Sequence, residues 1–184
     1  MRLFVAVDVP GRVKESLREA MVPYRDRIAG ARWTSPDSWH VTLKFLGWTW
    51  PRLVGEVQRA VGEAAAAGRP FETALTEVGA FPSPSRARVL WAGLADPEGR
   101  LAGLAGALDE LLEAHVRPEK RAFSAHLTVA RVDPPANLRT LPDLVGLPLG
   151  SDRFEIGELV LYRSHLSPRG ARYEVIKSFD LSGA

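Results

Sequence analysis

The chain has 184 residues, 46% of them hydrophobic, enough to bury the core of one domain or of two tightly fused lobes. Its 24 Lys and Arg nearly balance 22 Asp and Glu, and a net charge of +2 excludes an overall field for gathering nucleic acid, so an anionic ligand must be drawn by local charge. The absence of Cys excludes disulfides and thiolate metal sites, no apolar run reaches the ~18 residues of a membrane span, and MRLFVAVDVP lacks a signal-peptide layout; the cytoplasm is the expected compartment.

Residues 3 to 9, LFVAVDV, read as an opening strand that Pro10 ends. A helix follows from Gly11 to about Ile28, with Val13, Leu17, Met21 and Ile28 near helical spacing and Pro23 placed to kink or split it. SPDS at 35 to 38 is turn chemistry leading into the strand WHVTLKFLG. Pro51 opens a second helix that Gly68 stops. Strands cover 71 to 80 and 88 to 94 on either side of the turn-rich PSPSR. A third helix runs from Pro97 to about His115 on a stripe of Leu101, Leu104, Leu108, Leu111 and Leu112. FSAHLTVAR is another strand, 132 to 150 is a Pro-rich connection, and strands at 153 to 163 and 171 to 179 close the chain. This order predicts an α+β fold of largely antiparallel sheets with helices on one face, since a doubly wound parallel sheet needs more helices and fewer hairpin-like neighbours.

The H-x-T pattern of HVTLKFLG at residue 40 returns as HLTVAR at residue 126, 86 positions on (126 − 40). Four His and seven Thr in 184 positions yield about 0.15 such matches by chance. The interval, close to half the chain, is too long for a solenoid repeat and predicts two related lobes. In a strand, side chains alternate, so His40 and Thr42 share one face while Val41, Leu43 and Phe45 take the other; His126 and Thr128 likewise oppose Leu127 and Val129. Two imidazoles across one groove suit phosphodiester hydrolysis without a metal. One takes a proton from water, and the other gives one to the oxygen leaving from the far side of phosphorus. The Thr hydroxyls can hold the non-bridging oxygens.

Other residues are weaker candidates. His115 and His165 have no partners at metal-ligand spacing, so no metal or other cofactor is expected. His115, near a helix end, is placed to meet terminal carbonyls, and His165 falls in a loop before Pro168. Trp33, Trp39, Trp48, Trp50 and Phe45 surround the first motif; core packing is the commoner use of Trp, with stacking on a nucleobase as the rival. Arg86 and Arg88, beside the second turn-rich segment, are surface cations with RNA steering as the minority reading.

HVTLKFLG and HLTVAR resemble the paired H-x-T-x motifs of the two-histidine (2H) phosphoesterase superfamily, most closely the RNA 2′,3′-cyclic phosphodiesterases, also called 2′-5′ RNA ligases. RLFVAVDVP, RVLWAGL at 88 to 94 and LVLYRSHLSPRGARYEVI are similar to that family too, so the resemblance spans nearly all of residues 1–184 as a single domain. It implies two pseudo-symmetric lobes with a cleft between them and hydrolysis of an RNA 2′,3′-cyclic phosphate to a 2′-phosphate without metal or cofactor. The implied partner is such an RNA end or a small cyclic nucleotide; the sequence itself leads to no membrane partner, and a monomer is expected. Carried onto matching positions, His40 is the proton donor to the leaving 3′-oxygen, His126 the acceptor from water, and Thr42 and Thr128 hold the phosphate; the symmetry leaves donor and acceptor exchangeable. Arg131 matches a basic position that the family uses near phosphate, yet strict alternation from His126 puts it on the opposite face, and it reaches the cleft only if the strand bends. Ala125 stands where the family often has Pro. Tyr173, in the family-like ending, is a further candidate for the cleft wall. Reversible 2′-5′ ligation at the same site and a nucleotide-binding module without turnover are the alternatives.

Overall fold

The structure, a computed structural model, describes residues 1–118, 121–167 and 170–183. Its strands are β1 (Arg2–Asp8), β2 (Ala31–Trp33), β3 (His40–Trp48), β4 (Phe71–Thr73), β5 (Leu75–Phe81), β6 (Ala87–Leu94), β7 (His126–Ala136), β8 (Phe154–Ile156), β9 (Glu158–Ser167) and β10 (Gly170–Asp180). Helices α1 (Gly11–Met21), α2 (Val54–Ala67) and α3 (Arg100–Leu111) interrupt them. One antiparallel sheet has the order β10-β9-β1-β3, a second β2-β7-β6-β5, and β4 pairs with β8 in a short ribbon. The fold is α+β, with the two-lobed, antiparallel layout expected.

β1 lies between β3 and β9, and it is apolar on both faces because both are covered. Leu3, Val5 and Val7 enter the main core, while Phe4 and Ala6 face the other way and join a small cluster with Val160 and Tyr162, against which Tyr173 packs. The main core is continuous through both sheets, taking Val41 and Leu161 from the first and Leu90, Leu127 and Val129 from the second. Each helix adds one stripe to it: Val13, Leu17 and Met21 from α1, Val57, Val61 and Ala64 from α2, Leu101, Leu104 and Leu108 from α3. α2 packs on α3, β9 and β10, and α3 packs on β3. The apolar faces are thereby used up on the helix side, leaving Phe4, His40 and their neighbours on the opposite side of the first sheet.

Departures from the sequence reading have local causes. The first helix stops at Met21, and Val22–Tyr24 forms a tight 3-10 turn at Pro23. The third helix starts only at Arg100, because Glu98 and Gly99 adopt left-handed conformations, and it ends at Leu111 rather than His115 as Leu112 leaves helical dihedrals. The segment 71 to 80 breaks at Ala74, and 153 to 163 breaks at Gly157. β7 continues to Ala136 where a connection was expected; its pairing with β6 is irregular between Ala87 and Val89, so Pro134 and Pro135 owe no ladder N–H there. β2, three residues long, is too short for periodicity to reveal and exists through its pairing with β7. His165 lies inside β9 rather than in a loop, while Pro168 and Arg169 of the family-like ending fall outside the described residues. No helix among the described residues is long and apolar enough to cross a membrane.

Candidate active site

His40 opens β3 and His126 opens β7, and these two strands meet where the sheets adjoin. Over the first residues from each His, the two strands share one burial pattern: half-buried His and Thr, buried Val41 and Leu43 against Leu127 and Val129, then buried Lys44 against Ala130 and exposed Phe45 against Arg131. Alternation breaks at the same point in both. Along β1, Ala6 faces Thr42 and Val5 faces Lys44, leaving Leu43 as an extra residue. Along β6, Trp91 faces Thr128 and Leu90 faces Ala130, leaving Val129 extra. Each is a β-bulge, which returns the fifth residue after the His to the face of the His. Phe45 therefore lies on the His40 side, 67% exposed, with its ring 6.2 Å from that of Phe4. This overturns its expected placement opposite His40. The same bend brings exposed Arg131 to the face of His126 and Thr128.

Around His40 the walls are aromatic. Its ring stacks on Phe4 at 4.7 Å and on Tyr162 at 5.8 Å, and meets the edge of Tyr173 at 5.0 Å. Tyr173 thus lines the same face. Desolvation by these rings pushes the His40 imidazole down to about 4, against a hydrogen bond with the Ser38 backbone and the charge of Asp8, both of which favour the protonated ring; Lys14 adds to the lowering. Asp8 stands opposite His40 in the ladder. It accepts hydrogen bonds from the Tyr162 hydroxyl at 3.0 Å and from Lys14 Nζ at 3.4 Å. Burial, followed by the charge of Asp8, raises the Tyr162 phenol well above its ordinary value, so it remains a donor.

His126 is held differently. Its Nδ1 lies 2.7 Å from the Ser124 carbonyl, which can only accept, so Nδ1 donates there and Nε2 is the ring nitrogen left for a substrate. The Phe81 ring meets it edge-on at 5.0 Å and Trp91 at 6.2 Å. Trp91 lies flat across Gly79, where a Cβ would come within 2.0 Å of the indole, so glycine is what lets the ring sit behind His126. On the far side of Arg131, Arg32 of β2 stands directly opposite in register, also exposed. Neither guanidinium makes an ion pair among the described residues. The pair supplies local positive charge that the near-neutral composition does not.

The structure brings His40, Thr42, Tyr173 and Phe45 onto one sheet face and His126, Thr128 and Arg131 onto the other. It sets others aside. Trp39 is buried and donates to Thr34 Oγ1 at 2.7 Å, and Trp33 donates to the Arg25 carbonyl at 3.3 Å, so both pack rather than bind. His115 meets Glu56 Oε2 at 2.9 Å instead of helix carbonyls, and His165 meets Glu174 Oε2 at 2.6 Å. Arg86 and Arg88 are exposed. Asp8, Tyr162 and Arg32 were missed by the sequence reading. So was the wider repeat S-x-H-x-T, whose Ser contributes through a backbone atom that any residue would supply.

Comparison with known proteins gives four further findings. The sequence pattern of the family described as LigT-like phosphoesterase matches residues 7–91 and 94–173. An RNA 2′,3′-cyclic phosphodiesterase from Methanothermobacter thermautotrophicus is 32% identical over 98% of this chain and 99% of its own length. Among solved structures, TT0787 of Thermus thermophilus superposes with a TM-score of 0.83 at 30% identity over 100% of this chain and 99% of that one. Escherichia coli LigT complexed with 3′-AMP superposes at 0.77 and 25% identity, over 98% of each chain.

Proposed function

The chain belongs to the LigT-like phosphoesterase family, and from that premise we propose that it hydrolyses the 2′,3′-cyclic phosphate at an RNA end to a 2′-phosphate, without metal, in the cytoplasm. Water attacks phosphorus as His126 Nε2 takes its proton; the P–O3′ bond breaks on the opposite side as the 3′-oxygen receives a proton from His40. Thr42 and Thr128 donate to the non-bridging oxygens, and Arg131 offsets the charge that develops there. The observation that carries this reading is the repeated strand: two His-x-Thr segments with one burial pattern and one bulge, each His tied by its own chain two residues back. The activity named for the 32% identical relative and the 3′-AMP held by E. coli LigT support the same substrate class.

One observation favours exchanged roles for the two rings. An imidazole lowered to about 4 is neutral near pH 7, which suits an acceptor, and His40 serves as donor only once a bound anion raises it. The two assignments separate with a nitrophenyl phosphodiester, whose phenolate leaves without a proton. The Ala variant of the donor keeps activity on that substrate, and the Ala variant of the acceptor loses it. On a nucleoside 2′,3′-cyclic phosphate, His40→Ala and His126→Ala should each lower turnover by at least about 100-fold. An unchanged rate in either, or a 3′-phosphate product, overturns the corresponding part of the proposal.

A further inference from the structure

Phe45 and Trp48 are 67% and 70% exposed, and both lie on β3, the edge strand of the first sheet. Directly opposed residues of an antiparallel pair share a face, and here Phe45 opposes Phe4 while Trp48 opposes Arg2. Phe4 and Arg2 are two apart on β1, so all four side chains lie on the face that carries His40. The line is continuous at its inner end, from His40 to Phe4 at 4.7 Å and from Phe4 to Phe45 at 6.2 Å. At its outer end Arg2 is exposed and makes no ion pair among the described residues. Large rings left in water beside an unpaired guanidinium, in line with a site for a nucleotide phosphate, match what a single nucleic-acid strand requires: aromatic faces for bases and a cation for the backbone.

We propose that Trp48 and Arg2 extend the site by one nucleotide along β3: the base that precedes the terminal one lies against Trp48, and the Arg2 guanidinium holds the phosphate that joins the two. This rests on the hydrolase reading above and adds a contact that a free nucleoside phosphate cannot make. Stacking is tolerant of base identity, so no preference at that position is expected.

The test measures binding and turnover separately. The intact protein is titrated with a short RNA carrying a terminal 2′-phosphate and with the matching nucleoside 2′-phosphate, following tryptophan fluorescence, and kcat/KM is measured on the corresponding cyclic phosphates. Trp48→Ala should weaken RNA binding and kcat/KM by about tenfold, the loss of one stacked base, and leave the single nucleotide within about twofold. Trp48→Phe should restore most of the loss. An abasic residue next to the RNA terminus should cost the wild-type protein the same factor, with no folding question attached. Equal effects of Trp48→Ala on both ligands, or none on either, overturn the proposal. So does a concentration-dependent dimer that Trp48→Ala abolishes with RNA binding unchanged, which assigns the surface to a second copy. Discrimination in binding without turnover of either cyclic phosphate refutes the hydrolase reading and leaves the added contact standing.

Discussion

His40 is wedged among Phe4, Tyr162 and Tyr173, and taking water from an imidazole penalises its charged form. Its proton NMR signal should titrate near 4 in the empty protein, move upward when inorganic phosphate is added, and move further down in Asp8→Asn, which removes a charge that favours protonation. A midpoint at the ordinary 6.5, unmoved by the Asp8 change, contradicts this account. The sign for stability follows. With its folded value below the unfolded one, the native protein binds fewer protons than the unfolded chain between about pH 4 and 6.5, so the contribution is complete above that window and is lost as pH falls through it. His40→Phe should flatten that part of the stability profile. The two His and their Thr were legible because a tripeptide recurs. Asp8 and Tyr162 were not, since each reaches His40 from another strand and only the register of β1 with β3 and β9 brings them together.

The bulges govern what each motif strand presents. A strand read by strict alternation sends its fifth residue to the wrong side, and one extra residue corrects it, but nothing in the amino-acid types of HVTLKF or HLTVAR announces that insertion. This is why Phe45 was misplaced and Arg131 left conditional, while the strands themselves and the α1 break at Pro23 were readable from composition and proline chemistry. The bulge also turns Lys44 inward, where it is 4% exposed and its ammonium bonds Asp109 of α3 and the Arg117 carbonyl at 3.0 Å. The equivalent place in β7 is held by Ala130. Asp109→Ala strands a buried cation and should cost about 3 kcal/mol in urea denaturation, whereas Lys44→Met combined with Asp109→Leu should recover most of it. A loss below about 1 kcal/mol for Asp109→Ala means that the pair does not secure α3 to β3.

Among the described residues, both four-stranded sheets and the three α-helices contribute to one large buried cluster, and the first sheet adds only the small cluster of Phe4, Ala6, Val160 and Tyr162, so the lobes share their main core. Thermal unfolding is expected as one transition, coincident by far-UV circular dichroism and by tryptophan fluorescence; two separated transitions indicate lobes that fold independently. The lobed architecture was foreshadowed by the half-chain interval between the motifs, whereas β2 and the split of the last third into β8 and β9 depend on pairings between distant segments. The position of β3 at the margin of its sheet has one more outcome. A flat outer strand bearing oily rings is an invitation to add foreign strands and grow into aggregates, yet the irregularity at Leu43 interrupts the even row of backbone donors and acceptors that such growth would copy. The kink that aims Phe45 should therefore also help to keep concentrated solutions of this protein clear.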